Sequence, residues 1–144
     1  MRNEELYRHS KRTAIIAESF SRSCLNLSDE ELRNLYISAF YHDIGKRFIS
    51  NEILYKKGKL TEEEFEVVKN HPKYSFEILS NYNYNNLFNK DVLRAVREHH
   101  ERIDGKGYPF GLTGNEISYI SKIISICDSY EAMTSDRCYQ KKKE

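Results

Sequence analysis

Five histidines and a handful of carboxylates are the residues of this chain that could do chemistry. The histidines are His9, His42, His71, His99 and His100; Asp43 follows His42 directly and Pro72 follows His71. A lone histidine on a helix is more often a packed or surface residue than a ligand, so the pattern must carry the argument. Asp128 stands among Ile123, Ile124 and Ile126. A carboxylate buried there unpaired is costly, so it calls for a cation or strong donors. Glu5 lies four residues before His9, a spacing that brings two side chains to one face of a helix. Imidazole nitrogen with carboxylate oxygen suits iron, manganese, zinc or nickel. Cys24, Cys127 and Cys138 form no CxxC pair, which argues against structural zinc and against a disulfide framework. Five imidazoles with two or three carboxylates exceed the needs of one tetrahedral ion and suit two metals or three. A two-metal site can clamp the oxygens of a phosphate ester during in-line attack.

The elements that must position these groups are helical. Residues 3–23 place Leu6, His9, Thr13, Ile16, Ala17 and Phe20 at helical spacing. Ser28-Asp29-Glu30-Glu31 reads as a capping box opening a second helix, whose apolar face (Leu32, Leu35, Tyr36, Ala39, Phe40) runs into His42-Asp43, with a break at Gly45. Thr61-Glu62-Glu63-Glu64 reads as another capping box. His71-Pro72 ends that helix, and Pro72 falls in the first turn of the next. Residues 81–89 and 104–109 read as loops by composition, and 91–100 as a helix. Asn115-Glu116 is expected to open a last helix through Ile117, Ile120, Ile123, Ile124, Cys127, Tyr130 and Met133, with its isoleucine stripe in the core. No paired strands, repeat or Gly-rich phosphate loop is evident, so the expected fold class is all-α, a helical bundle in one domain.

Composition sets outer limits. The chain has 144 residues, 23 basic and 22 acidic, for a net charge of +1. That balance argues against a nucleic-acid polymer as partner. No apolar run approaches the roughly 20 residues of a bilayer span, and no signal-peptide core is present at the N-terminus. A cytoplasmic location is the default expectation.

Three stretches make the reading specific: His42-Asp43-Ile44-Gly45-Lys46, then Asn70-His71-Pro72, then His99-His100-Glu101 followed by Asp104-Gly105-Lys106-Gly107-Tyr108-Pro109. Together with Gly58–Phe65 and Ile126–Arg137 they resemble the HD-GYP family, over residues 7–139. The resemblance implies an HD-domain helical bundle with a GYP loop, and a metal-dependent phosphodiesterase that hydrolyses cyclic di-GMP to linear pGpG and on to GMP. It implies a di-metal or tri-metal centre of iron or manganese. His42, Asp43, His71, His99, His100 and Asp128 would ligate it, Asp43 as the bridge, with His9 upstream and Glu5 joining it at a third metal. Lys46 would act in catalysis with Asp43, steadying the phosphate or the nucleophile. Gly107, Tyr108 and Pro109 would shape the substrate pocket, and Arg137 would contact substrate.

The departures bear on substrate, not metal. Cys138-Tyr139-Gln140 stands where the family reads Pro-Tyr-Lys, and Ser50 where many members carry Pro. The alternatives from other classes are a cyclic dinucleotide sensor with little turnover, and an HD-type nucleotide phosphohydrolase. The chain is expected to be a minimal or C-terminally truncated catalytic module spanning residues 1–144, frayed over 140–144, without a regulatory domain and open to forming a homodimer. Glu101 reads either as an acceptor for an imidazole N–H or as an exposed residue, and Cys127 as a small buried apolar residue.

Overall fold

The structure is a computed structural model that describes residues 2–82 and 85–135. Seven α-helices follow one another among the described residues: α1 (Arg2–Cys24), α2 (Asp29–Tyr41), α3 (Asn51–Leu54), α4 (Glu62–Val68), α5 (His71–Asn81), α6 (Lys90–Glu98) and α7 (Tyr119–Thr134). A 3-10 turn at Ile44–Phe48 joins α2 to α3. No strand occurs among the described residues; one isolated bridge pairs Asp104 with Thr113. The all-α expectation holds.

The starts of the helices are written in side-chain oxygens. Ser28, Ser50, Thr61, Asn89 and Ser118 each accept a backbone N–H from the residue three positions on. Each thereby satisfies one of the donors that a helix N-terminus leaves unpaired. At Thr61 the box is closed by Glu64, whose carboxylate accepts the Thr61 N–H. One expected boundary is wrong. α7 begins at Tyr119, capped by Ser118, and not at Asn115-Glu116. The Glu116 carboxylate is engaged by the Thr113 N–H and hydroxyl, so it closes a turn that precedes the helix.

α1 packs on α2 and α7, α2 also meets α6 and α7, and α5 lies against α6 and the 3-10 turn. Small residues let α1 and α2 approach. Ala14, Ala17, Leu35, Ala39, Ala95, Ile123, Ile124 and Cys127 form the main core, and Leu79, Phe88, Val92 and Val96 a second. The isoleucines of the expected stripe are core, with Ile123 and Ile124 buried and Ile120 packed against them, whereas Tyr130 and Met133 at its far end are exposed.

The junction that matters most is between the 3-10 turn and α5. The Gly45 N–H donates to Ser75 Oγ at 2.7 Å, and the Ser75 hydroxyl donates to the His42 carbonyl at 2.9 Å. A Cβ on Gly45 would stand 2.1 Å from the His71 carbonyl oxygen and 2.5 Å from the Ser75 nitrogen. Both obstacles are backbone, so neither can step aside. Gly45→Ala is therefore expected to cost about 3 kcal/mol, the upper end of overpacking penalties, read as a lowered midpoint in urea unfolding. A midpoint within error of wild type would show that the junction is looser than described.

Candidate metal centre

Five histidines and two aspartates meet where α1, α2, the start of α5, the end of α6 and α7 converge. His42 and Asp43 directly follow α2, His71 opens α5, and His99 and His100 follow α6. His9 comes from the middle of α1 and Asp128 from α7. Asp43 is 1 % exposed and is the point they share. Its Oδ1 lies 3.1 Å from His71 Nε2 and 3.6 Å from His99 Nε2. Its Oδ2 lies 3.3 Å from His42 Nε2, 3.4 Å from His9 Nε2 and 3.0 Å from Lys46 Nζ. Asp128 Oδ1 stands 2.7 Å from His9 Nε2 and 3.4 Å from His42 Nε2. Two overlapping donor groups result, Asp43–His71–His99–His100 and His9–His42–Asp43–Asp128, each with its donor atoms within 4.8 Å of one another.

The imidazoles are aimed by the ends of helices. Nδ1 of His42 donates to the Ala39 carbonyl at 2.6 Å, Nδ1 of His71 to Val68 at 2.8 Å, and Nδ1 of His99 to Val96 at 2.6 Å. Each acceptor is a carbonyl in the last turn of α2, α4 or α6, one of those a helix leaves unpaired at its C-terminus. A carbonyl only accepts, so the proton sits on Nδ1 and Nε2 faces the centre. His9 lies mid-helix, where no such carbonyl is free for it. Its Nδ1 pairs instead with the carboxylate of Glu131 on α7, which is 2 % exposed.

This donor set suits a cation. His42 Nε2 and Asp43 Oδ1 are buried with no hydrogen-bond partner, a costly arrangement unless an ion answers them. His71 Nε2 and His99 Nε2 stand 3.3 Å apart, so two nitrogen donors point at one spot. Electrostatics agree. Burial works against the charged form of His9 and His42, yet hydrogen bonds from His9 to Asp128, Asp43 and Glu131 push it up to about 11, and the charges of Asp43 and Asp128 push His42 up to about 9. Burial likewise opposes the charged carboxylates, but His42, with Lys46 for Asp43 and His9 for Asp128, holds both well below the usual range. This half of the centre favours positive charge. On the other half, burial lowers His99 to about 4 and His100 well below its ordinary value, helped by neighbouring imidazoles. Those rings stay neutral, with nitrogen lone pairs available as ligands.

The GYP segment is held against the centre from behind. Tyr108 stacks on His100, with ring centroids 4.8 Å apart and planes 15° from parallel, and its N–H donates to the His100 carbonyl at 3.1 Å. Gly107 has no room for a Cβ, which would lie 2.4 Å from both the His100 oxygen and the Arg102 nitrogen. Glu101 corrects both readings offered for it. It is buried and accepts the Phe110 and Leu112 N–H groups at 2.6 and 2.9 Å, so it binds the loop's backbone and not an imidazole. Glu98 does the same at the far end, accepting the Ser118 N–H at 2.7 Å.

Glu5, one turn before His9, stands outside both donor groups. Arg137 lies outside the described residues, as do Cys138, Gln140 and the tail. Glu131 was missed in sequence. Its signal was its place three residues after Asp128, on the same face of α7.

A helical bundle closed around a buried His–Asp centre is the class that fold and site define. The sequence profile of the HD domain family matches residues 1–144. The chain is 39% identical over 139 residues to the cyclic di-GMP phosphodiesterase PA4108 of Pseudomonas aeruginosa, covering 96% of this chain and 33% of that one. It is 39% identical over 132 residues to the 3'3'-cGAMP-specific phosphodiesterase 3 of Vibrio cholerae, covering 92% and 28%. Its fold superposes on Bd1817, an HDG"Y"P protein from Bdellovibrio bacteriovorus, with a TM-score of 0.74 at 17% identity, over 89% of this chain and 40% of that one. The chain belongs to the HD-GYP family of HD domains. It spans about a third of the length of these curated relatives. No described helix is long and apolar enough to cross a membrane.

The shared carboxylate predicts a pattern of metal loss. Asp43→Ala is expected to empty both donor groups, and His9→Ala only the one it belongs to, as metal per chain by mass spectrometry. Glu131→Gln, which leaves a weaker acceptor behind His9, is expected to lower affinity at that same group by about ten- to a hundredfold. Equal loss from His9→Ala and Asp43→Ala would refute the two-group arrangement.

Proposed function

We propose that the chain is a metal-dependent phosphodiesterase acting on cyclic dinucleotides, opening cyclic di-GMP to linear pGpG and continuing to GMP. The observation that carries this is the division of Asp43, with one oxygen toward each donor group. Relatives named for cyclic di-GMP and for 3'3'-cGAMP support the substrate class. His42, Asp43, His71, His99, His100, Asp128 and His9 would hold two metals. Nitrogen and carboxylate donors without thiolates suit iron or manganese. Such a pair supplies an activated water near neutral pH and neutralises charge on the phosphate.

The chain's own residues do the rest. Lys46, whose ammonium sits 3.0 Å from Asp43 Oδ2 and is partly exposed, meets the phosphate oxygens as their charge grows. Burial raises the Tyr108 hydroxyl above its ordinary value, with Asp43 and Asp128 adding to the effect. It therefore stays protonated, able to donate at the pocket wall but not to serve as a base. Gly107 and Pro109 carry that wall, while Arg137 takes its substrate role from the motif alone.

The test is hydrolysis of cyclic di-GMP with added iron or manganese under anaerobic conditions. His42→Ala combined with Asp43→Ala should lower kcat/KM by about a thousandfold or more, since several kcal/mol of charge stabilisation leave with the metals. An equally active double variant would refute the site. Tight binding without product in the wild type would point to a sensor.

A further inference from the structure

Beside the centre, on the Lys46 side, is a cleft of about 260 Å³ between the start of α1, the 3-10 turn and α3. Its walls include Asn3, Lys46, Arg47, Asn51 and Tyr55. Lys46 belongs to both places, since its Nζ contacts Asp43. One lysine thus lines the cleft and also touches the carboxylate shared by the donor groups. Arg47 is exposed, and no carboxylate among the described residues pairs with it. The 3-10 turn thus presents two successive cations to a hollow flanked by two amide side chains. Complete small-molecule pockets run to roughly 300–1,000 Å³. This one is below that range and fits one half of a dinucleotide.

A cyclic dinucleotide carries two phosphodiester anions, and the centre with Lys46 can receive only one at a time. We propose that this cleft is a subsite for the other half of the substrate, with Arg47 binding the second phosphodiester and Asn3 and Asn51 facing its ribose or base. This rests on the functional reading above. A guanidinium suits the task because its fork matches two phosphate oxygens. The Arg47 side chain is exposed and lies outside both core clusters.

The experiment compares wild type, Arg47→Ala and Arg47→Lys, each loaded with manganese. Two substrates are used: cyclic di-GMP, and bis(p-nitrophenyl) phosphate, which has a single phosphodiester. For Arg47→Ala, the ratio of kcat/KM for cyclic di-GMP to that for the small diester should fall about tenfold, through KM, the scale of one charge-assisted hydrogen bond. Arg47→Lys should fall between. Equilibrium dialysis of cyclic di-GMP gives a readout independent of turnover, and Arg47→Ala should bind about tenfold more weakly. An unchanged ratio with unchanged affinity overturns the subsite alone. A wild type that cleaves the small diester but neither binds nor cleaves cyclic di-GMP overturns the functional reading beneath it.

Discussion

The structure turns on the carboxylate of Asp43. A charge so buried has to be answered locally, and here Lys46 and imidazoles from three directions answer it. None of these partners is adjacent to Asp43 in sequence except His42. His42 and Lys46 are local, but His9 and His71 come from other helices, so the full compensation arrives only with the folded bundle and penalises any packing that withholds it. The same property suits a bridging ligand, because two oxygens with separate surroundings can serve two ions.

Close backbone approach is the mechanical side of that constraint. Asp43 cannot reach His71 unless the 3-10 turn lies directly on α5, and the hydrogen-bonded chain Gly45–Ser75–His42 brings it there. His100 cannot be flanked by Tyr108 unless the GYP segment doubles back onto residues 100–102, which the bare Cα of Gly107 allows. The two glycines do the same work on opposite sides of the centre. This gives both motif glycines a reason to belong to the site that rests on backbone packing alone.

Helix starts were legible in the sequence because Ser28, Thr61 and Pro72 act on the backbone within one turn. The start of α7 was not, because Glu116 has two local uses, helix opening or turn closure, and the contacts of Thr113 decide between them. The same division runs through the site. His42, Asp43, His71, His99, His100 and Asp128 stood out by motif. Glu131 and Glu101 did not, because each works on groups brought near by folding: Glu131 on an imidazole 122 residues away, and Glu101 on amides across a loop. Arg47 was passed over because a surface arginine is ordinary until a cleft is seen beside it.

How the histidines are anchored connects these observations. A helix that stops leaves carbonyls without donors, and a histidine three residues past such a carbonyl satisfies it with Nδ1 while turning Nε2 outward. His42, His71 and His99 all use this arrangement. The punctuation that ends α2, α4 and α6 therefore also sets the tautomer and aim of three donors, at no cost in additional residues. His9 cannot use it, because α1 continues through it and the carbonyls of the preceding turn already accept intrahelical N–H groups. A donor taken from mid-helix needs an acceptor from another element, and a carboxylate on α7 provides it. The chain thus carries three donors whose orientation is a by-product of helix termination and one that depends on tertiary packing. Disturbing the α1–α7 seam should act on the centre through His9 first, while the histidines at the helix ends keep their aim as long as their own helices stand.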